Sequence, residues 1–202
     1  MNKVAIIHGT KGTPESNWIP WLASSLKKLE LEVFVPTMPT PEGQSLDSWL
    51  NAFREQVGSI DSSTTIIGHS VGAVFLLRLL EELTIPINCA AFVAGFTGKL
   101  DLPEYDTLNA SFVKGPFHWK NIRKNTREVL CFSGDNDPYV PLTQGLEIAG
   151  RLGVKPYVIS GGGHLNGEFG YSSFPLLLEK LMNSGISGKI TKTPSGTSSV
   201  SE

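Results

Sequence analysis

The sequence contains a G-x-S-x-G pentapeptide at residues 68–72 (Gly-His-Ser-Val-Gly), placed between two apolar runs. The run before it, 64–67, is typical of a buried strand, and the run after it, 73–77, of a buried helix. A serine between such a strand and helix has a strained backbone, and its neighbours must be small because the two elements approach closely. The motif therefore predicts a sharp turn that exposes the hydroxyl group of Ser70.

Strand-like and helix-like segments alternate along the rest of the chain. Short apolar runs predict strands that are covered on both faces, and the segments between them carry the apolar stripes of helices. The pattern predicts an α/β fold, a three-layer sandwich with a mostly parallel six-stranded sheet in the order 2-1-3-4-5-6. The six predicted strands cover residues 4–7, 31–35, 64–67, 88–93, 129–133 and 156–159.

The predicted domain covers residues 1–184. Within it, segment 95–119 is long for a connection in a compact domain, so we expect it to form a small lid. Segment 185–202 is rich in Gly, Ser and Thr and carries no apolar periodicity. This composition predicts a disordered tail.

Composition argues against several classes of function. The formal net charge is −2 and no basic block is present, which argues against binding to nucleic acid or to an anionic membrane. The longest apolar runs are too short to span a bilayer. Cys89 and Cys131 each lie in a strand-like segment, and we expect them to be buried free thiols in a reducing compartment. The expected localisation is therefore cytoplasmic.

Polar residues follow Ser70 at the ends of later predicted strands. His164 comes after the last strand on three glycines, 161–163, which allow the backbone to bring the imidazole over the edge of the sheet. Asp135 and Asp137 follow the strand before it. Serine, acid and histidine in this chain order are typical of α/β-hydrolases. Ser70 is therefore the predicted nucleophile and His164 its general base.

The acid is predicted from its position in the loop. Asp137 lies at the entry to the next helix, where it can orient His164, whereas Asp135 is better placed to cap the loop backbone. Backbone N–H groups are expected to stabilise the oxyanion. Val71 follows the nucleophile and Thr10 lies in the loop after the first strand, so these two residues are the predicted donors.

Four aromatic side chains are the predicted substrate-binding residues: Trp18, Phe112, Phe117 and Trp119. We expect them to narrow the mouth of the site, although the same residues, and Trp18 in particular, could instead belong to the core. The chain has no H-E-x-x-H, no C-x-x-C and no phosphate-binding glycine loop, so no metal and no cofactor are predicted.

Six motifs occur together along the chain: His8-Gly9, Met38-Pro39, the pentapeptide, residues 116–125 with His118-Trp119-Lys120, Asp137-Pro138 and Gly163-His164. In these motifs the chain resembles, over about residues 3–182, the small serine hydrolases of the retinoblastoma-binding-protein-9 type, which include compact bacterial relatives. The resemblance implies a minimal α/β-hydrolase fold without a large cap, with Ser70, Asp137 and His164 as its triad. The namesake's partner binding is attributed to an L-x-C-x-E motif, which neither cysteine matches here, so that partner does not carry over and the protein partner is left open.

These observations predict a cofactor-independent serine hydrolase that cleaves a small carboxylic ester or a related acyl compound through an acyl-enzyme. Its expected partner is the small acyl substrate. Two alternatives stay open on the sequence. One is an amidase or peptidase that uses the same triad, and the other is a non-catalytic protein-binding module on a hydrolase fold.

Overall fold

A computed structural model of the chain describes residues 2–186. The predicted tail lies outside the described residues from position 187 onwards. The strands are β1 (Lys3–Ile7), β2 (Glu32–Phe34), β3 (Thr65–His69), β4 (Ile87–Val93), β5 (Thr126–Gly134) and β6 (Tyr157–Ile159). These six parallel strands form one sheet in the order β2-β1-β3-β4-β5-β6, which confirms the predicted fold class and strand order.

Helices cover both faces of the sheet, as parallel strands with helical crossovers require. The helices are α1 (Ile19–Lys27), α2 (Leu46–Val57), α3 (Val71–Glu82), α4 (Pro103–Asn109), α5 (Trp119–Lys124), α6 (Leu142–Leu152) and α7 (Pro175–Asn183). Helices α2, α3, α5 and α6 contribute to the apolar core on one face, and α1 and α7 to the core on the other. Ser45 caps α2, because its side chain accepts a hydrogen bond from the N–H of Ser48.

The centre of the domain is strongly apolar. All five residues of β3 are buried, as are the first ten residues of α3, which explains why the α3 sequence is apolar on nearly every side. Cys89 and Cys131 are buried free thiols, and burial raises the pKa of each to about 12. Such thiols are poor nucleophiles at neutral pH.

The carboxyl ends of the parallel strands meet at one edge of the sheet. The loop after β1, the turn between β3 and α3, and the loops after β5 and β6 all leave from this edge. In open α/β sheets this edge is where ligand sites form. In the part of the chain that the structure describes, no helix is long and apolar enough to cross a membrane.

Candidate active site

Ser70 occupies the turn between β3 and α3 in a backbone conformation that few residues adopt. Its φ is +57° and its ψ is −124°, which places a non-glycine residue at positive φ. The turn is fixed to the neighbouring strand because the N–H of Ser70 donates to the carbonyl oxygen of Val93, at 2.9 Å. Strain of this kind persists only where the surrounding structure enforces it, and it holds the serine at the edge of the sheet.

Three glycines allow the elements around Ser70 to approach one another. A Cβ at Gly68 would overlap the carbonyl group of Gly72, and a Cβ at Gly72 would lie 2.6 Å from the carbonyl oxygen of Ile7. A Cβ at Gly9 would lie 2.9 Å from the Cβ of Ser70. The loop after β1 therefore packs directly against the serine turn.

Asp137 and His164 form a buried hydrogen-bonded pair. His164 Nδ1 lies 2.7 Å from Asp137 Oδ2, and the two side chains are 9% and 3% exposed. The other carboxylate oxygen, Oδ1, accepts hydrogen bonds from the N–H groups of Tyr139 at 2.8 Å and Val140 at 3.0 Å. Every strong contact of the carboxylate is thus with a hydrogen-bond donor.

These contacts determine the protonation of the pair. Burial alone would raise the pKa of Asp137, but hydrogen bonding to His164 and to the two N–H groups outweighs it, and the pKa lies below its ordinary value. An ionised carboxylate can only accept hydrogen bonds, so His164 Nδ1 carries a proton. In the neutral ring, Nε2 then has a free lone pair and can accept a proton.

The loop that carries His164 is held by polar side chains on both sides. Asp135 accepts a hydrogen bond from the N–H of Gly161 at 2.8 Å, and Asn136 accepts one from the N–H of Gly163 at 2.7 Å. Trp18 donates its indole N–H to the carbonyl oxygen of Leu165 at 2.9 Å. Asp135 therefore contacts the loop backbone, whereas Asp137 contacts the imidazole.

His69 holds the same loop from inside the sheet. Its Nε2 lies 3.0 Å from the carbonyl oxygen of His164, and because a carbonyl only accepts, Nε2 is the donor. Burial, followed by the nearby His164, lowers the pKa of His69 to about 3. The ring is therefore neutral at pH 7 and acts as a fixed hydrogen-bond donor.

The depressed pKa of His69 makes stability depend on pH. The unfolded chain binds a proton at this residue below its ordinary pKa of about 6.5, whereas the folded chain does not until about pH 3. The free energy of unfolding is therefore expected to fall as the pH falls through this window, by roughly 2 kcal/mol between pH 6.5 and pH 5 from this residue.

Urea unfolding of the wild type and of His69→Gln at pH 8 and pH 5 measures this contribution. Glutamine keeps an amide donor for the His164 carbonyl but does not titrate, so the variant should lose less stability between the two pH values. His8, whose pKa burial also lowers, is present in both proteins and cancels in the comparison. Equal losses in the two proteins would contradict the assignment of His69.

The loop after β1 is fixed by His8. Its Nε2 accepts the N–H of Met38 at 3.1 Å, and its Nδ1 lies 2.9 Å from the carbonyl oxygen of Gly9. Both ring nitrogens of His8 therefore have hydrogen-bond partners. Thr10, which follows Gly9, lines a cavity together with Ser70. Val71 begins α3, where the first N–H groups have no acceptor within the helix.

A cavity of about 270 Å³ opens at this edge of the sheet, and Ser70, His164 and Thr10 line it together. Tyr105 and Tyr139 also line it, with their rings 6.1 Å apart, and Tyr139 donates a hydrogen bond to Glu168 at 2.8 Å. An ion pair of 2.6 Å joins Lys11, from the loop after β1, to Glu104 of α4. The wall of the cavity also includes Leu100, Asn109, Val140 and Asn166.

None of the four aromatic residues predicted from the sequence lines this cavity. Trp18 and Phe112 are fully buried in the core, and Phe117 and Trp119 pack against it. Their contacts lie within the protein: the guanidinium of Arg78 lies over the ring of Phe117 at 3.9 Å, and the indole N–H of Trp18 donates to the carbonyl oxygen of Leu165. The aromatic rings at the cavity are instead those of Tyr105 and Tyr139.

Several cavity residues were not predicted from the sequence. Tyr139 lies two positions after Asp137, and Asn166 and Glu168 lie two and four positions after His164, so nearness to those motifs could have suggested them. Tyr105 and Asn109 lie in segment 95–119, where no motif marks them. In residues 2–186 no group of three or more His, Cys, Asp or Glu side chains could hold a metal ion.

Comparison with known proteins identifies the family of the chain. Residues 4–183 match the model of the serine hydrolase family. The chain is 26% identical to YdeN of Bacillus subtilis over 181 residues, which cover 89% of this chain and 94% of YdeN. It is also 29% identical to the serine hydrolase RBBP9 of Rattus norvegicus over 171 residues, which cover 83% of this chain and 89% of RBBP9.

Two solved structures have the same fold as this chain. The crystal structure of the ydeN gene product from B. subtilis superposes with a TM-score of 0.84 at 25% identity, covering 91% of this chain and 98% of that chain. Est1E from Butyrivibrio proteoclasticus shares the fold, with a TM-score of 0.67 at 17% identity over 91% of this chain and 87% of that chain. The family match extends over nearly the whole described domain. The chain belongs to the serine hydrolase family and is a hydrolase of the α/β-hydrolase fold.

Proposed function

We propose that this enzyme hydrolyses small carboxylic esters or related acyl compounds, with Ser70 as nucleophile, His164 as general base and Asp137 as the residue that orients His164. The observation that carries the proposal is the 2.7 Å hydrogen bond between Asp137 and His164 Nδ1, in a cavity that His164 shares with Ser70. In the neutral imidazole this bond places the proton on Nδ1, so Nε2 can accept the proton of a serine hydroxyl.

The proposed reaction has two halves. Ser70 Oγ attacks the carbonyl carbon of the substrate while its proton moves to His164 Nε2, and the negative charge develops on the carbonyl oxygen. Collapse of this intermediate breaks the bond to the leaving alcohol, which takes the proton from His164. A water molecule then loses a proton to His164 and attacks the acyl-enzyme, and the second collapse releases the acid and restores the hydroxyl of Ser70.

Backbone donors are proposed to stabilise the oxyanion. The N–H of Val71 is at the start of α3, where the helix dipole favours negative charge. The N–H of Thr10 belongs to a loop that His8 fixes and that packs against Ser70 through Gly9. Donors held in place before the reaction need no reorganisation when the charge forms.

The cavity supports a preference for short acyl groups. Its volume of about 270 Å³ is at the lower end for ligand sites, and the polar groups of Lys11, Asn109, Asn166 and Glu168 interrupt its wall. A long alkyl chain would have to displace water from these groups without replacing their hydrogen bonds. An amidase or peptidase would use the same catalytic residues. The test therefore compares esters, which release an alcohol, with amides, which release an amine.

We expect kcat/KM to be highest for acetyl, propionyl and butyryl esters of p-nitrophenol and to fall for decanoyl and dodecanoyl esters. The matching p-nitroanilides measure amide hydrolysis, and Ser70→Ala gives the background rate for each compound. A specificity constant that still rises at the dodecanoyl ester would contradict the small-substrate proposal. Anilide turnover above ester turnover would identify the enzyme as an amidase instead.

A further inference from the structure

The carboxamide of Asn109 lies in the cavity wall at the end of α4. Asn109 is only 3% exposed, and it lines the same cavity as Ser70 and His164. An amide in a cavity wall can bind the protein through one end and face the cavity with the other. The contacts around Asn109 show which end is paired.

The orientation of the amide is fixed through Gln44. Gln44 Nε2 donates to the backbone carbonyl of Leu108 at 3.1 Å, and because a carbonyl cannot donate, this contact identifies the nitrogen end of the glutamine amide. The oxygen end, Oε1, accepts from the hydroxyl of Thr40. Gln44 Nε2 also lies 2.9 Å from the Asn109 amide, so the Asn109 atom that faces it is the acceptor Oδ1.

Thr10 gives the same orientation. Its hydroxyl donates to Asn109 Oδ1 at 2.6 Å. Gln44 Nε2 has two hydrogens and one of them points at the Leu108 carbonyl, so the other is shared between Thr10 Oγ1 at 3.1 Å and Asn109 Oδ1 at 2.9 Å. Two donors therefore hold the oxygen of Asn109, and its Nδ2 has no hydrogen-bond acceptor among residues 2–186. This nitrogen is not among the enclosed polar atoms without a partner, so it is open to the cavity that Asn109 lines. Asn109 thus presents an unpaired NH2 donor on a rigid side chain at the cavity.

The position of this donor relates it to the reacting carbonyl. The Asn109 amide is bound to the side chain of Thr10, the residue whose backbone N–H is the proposed oxyanion donor. A substrate whose carbonyl oxygen lies at the Thr10 N–H would therefore bring the adjacent part of its acyl group near Asn109 Nδ2. A second amide that lines the cavity, Asn166, carries in its Oδ1 the one buried side-chain N or O atom without a partner in the described residues.

We infer that Asn109 is a substrate-binding residue whose Nδ2 donates a hydrogen bond to an acceptor on the acyl group, next to the reacting carbonyl. The substrate class is then acyl compounds with an ether, carbonyl or hydroxyl oxygen at that position, in preference to plain alkanoyl compounds. Gln44 is a positioning residue that acts through Asn109. The inference rests on the proposed function of the cavity as an ester-hydrolysing site.

A matched pair of esters tests this inference. p-Nitrophenyl methoxyacetate and p-nitrophenyl butyrate have acyl groups of the same length and differ by one ether oxygen in place of a methylene. The ratio of their kcat/KM values, divided by the ratio of their rates with hydroxide, removes the difference in intrinsic reactivity. In the wild type this corrected ratio should favour methoxyacetate by about tenfold, because one hydrogen bond from Asn109 Nδ2 to the ether oxygen would have an effect of that size.

Asn109→Asp keeps an acceptor for Thr10 and Gln44 but replaces the NH2 donor with an oxygen. The corrected ratio should fall about tenfold or more in this variant. Asn51→Asp, at an exposed position of α2, adds the same charge away from the cavity and should leave the ratio unchanged. If Asn109→Asp does not fold, the corrected ratio of the wild type still tests the inference.

A corrected ratio near one in the wild type, or the same ratio in the wild type and Asn109→Asp, would overturn the inference while ester hydrolysis stands. Failure of the wild type to hydrolyse either ester would overturn the proposed function, and this inference with it.

Discussion

Replacing Asp137 with asparagine is expected to lower kcat by a factor on the order of 10⁴, the cost of the same change in a serine protease. The backbone explains the direction of the effect. The N–H groups of Tyr139 and Val140 both point at Oδ1, so the asparagine oxygen must occupy that position. The NH2 group would then face His164 Nδ1 and donate to it. Nδ1 would lose its proton, Nε2 would carry one, and the base for Ser70 would be lost.

Asp135→Asn is the matched control for this prediction. Asp135 lies two positions away and accepts a hydrogen bond from the N–H of Gly161, which an asparagine oxygen can also accept. Its turnover should therefore stay close to that of the wild type. Steady-state kinetics on one p-nitrophenyl ester compares the two variants. A larger loss in Asp135→Asn than in Asp137→Asn would contradict the assignment of the acid.

Gly68→Ala is expected to destabilise the fold by about 3 kcal/mol or more. The new Cβ would overlap the backbone of Gly72 and lie 2.6 Å from the nitrogen of Ala73. These atoms cannot rotate away as a flexible side chain can, so β3 and α3 would have to separate. Because Ser70 lies between the two elements, kcat/KM should fall together with the free energy of unfolding.

Gly150→Ala is the control for the glycine substitution. Gly150 lies in α6, and a Cβ there meets nothing within 4 Å. Alanine is the better helix former, so this variant should gain about 0.5–1 kcal/mol. Urea unfolding of the two variants and the wild type measures both effects. A Gly68→Ala protein as stable as the wild type would contradict the close packing of β3 against the start of α3.

The fold was predictable because its strands and most of its helices have a local signal. The strands are short apolar runs, the α2 stripe and its Ser45 cap are visible in the sequence, and the 68–72 pentapeptide identifies the turn at the centre of the sheet. The carboxyl ends of parallel strands meet at one edge, so residues after these strands come together whatever the details of their loops. This geometry explains why Ser70, Asp137 and His164 could be selected from the sequence.

The walls of the cavity could not be predicted in the same way. An apolar ring has the same sequence signal whether it faces the core or a ligand, and Trp18 and Phe112 prove to be buried in the core. The position of Asn109 depends on contacts with Gln44 and Thr10, which lie 65 and 99 positions away in the chain. No motif connects such distant residues, and only the folded chain brings them together.

Labelling with a fluorophosphonate tests most directly whether Ser70 is an activated nucleophile. Attack on the phosphorus displaces fluoride and leaves a stable bond to the serine oxygen, which intact-protein and peptide mass spectrometry can locate. We predict one adduct per chain, on Ser70, with no adduct in Ser70→Ala and much slower labelling in Asp137→Asn. An adduct on another residue, or undiminished labelling of Ser70→Ala, would contradict the account.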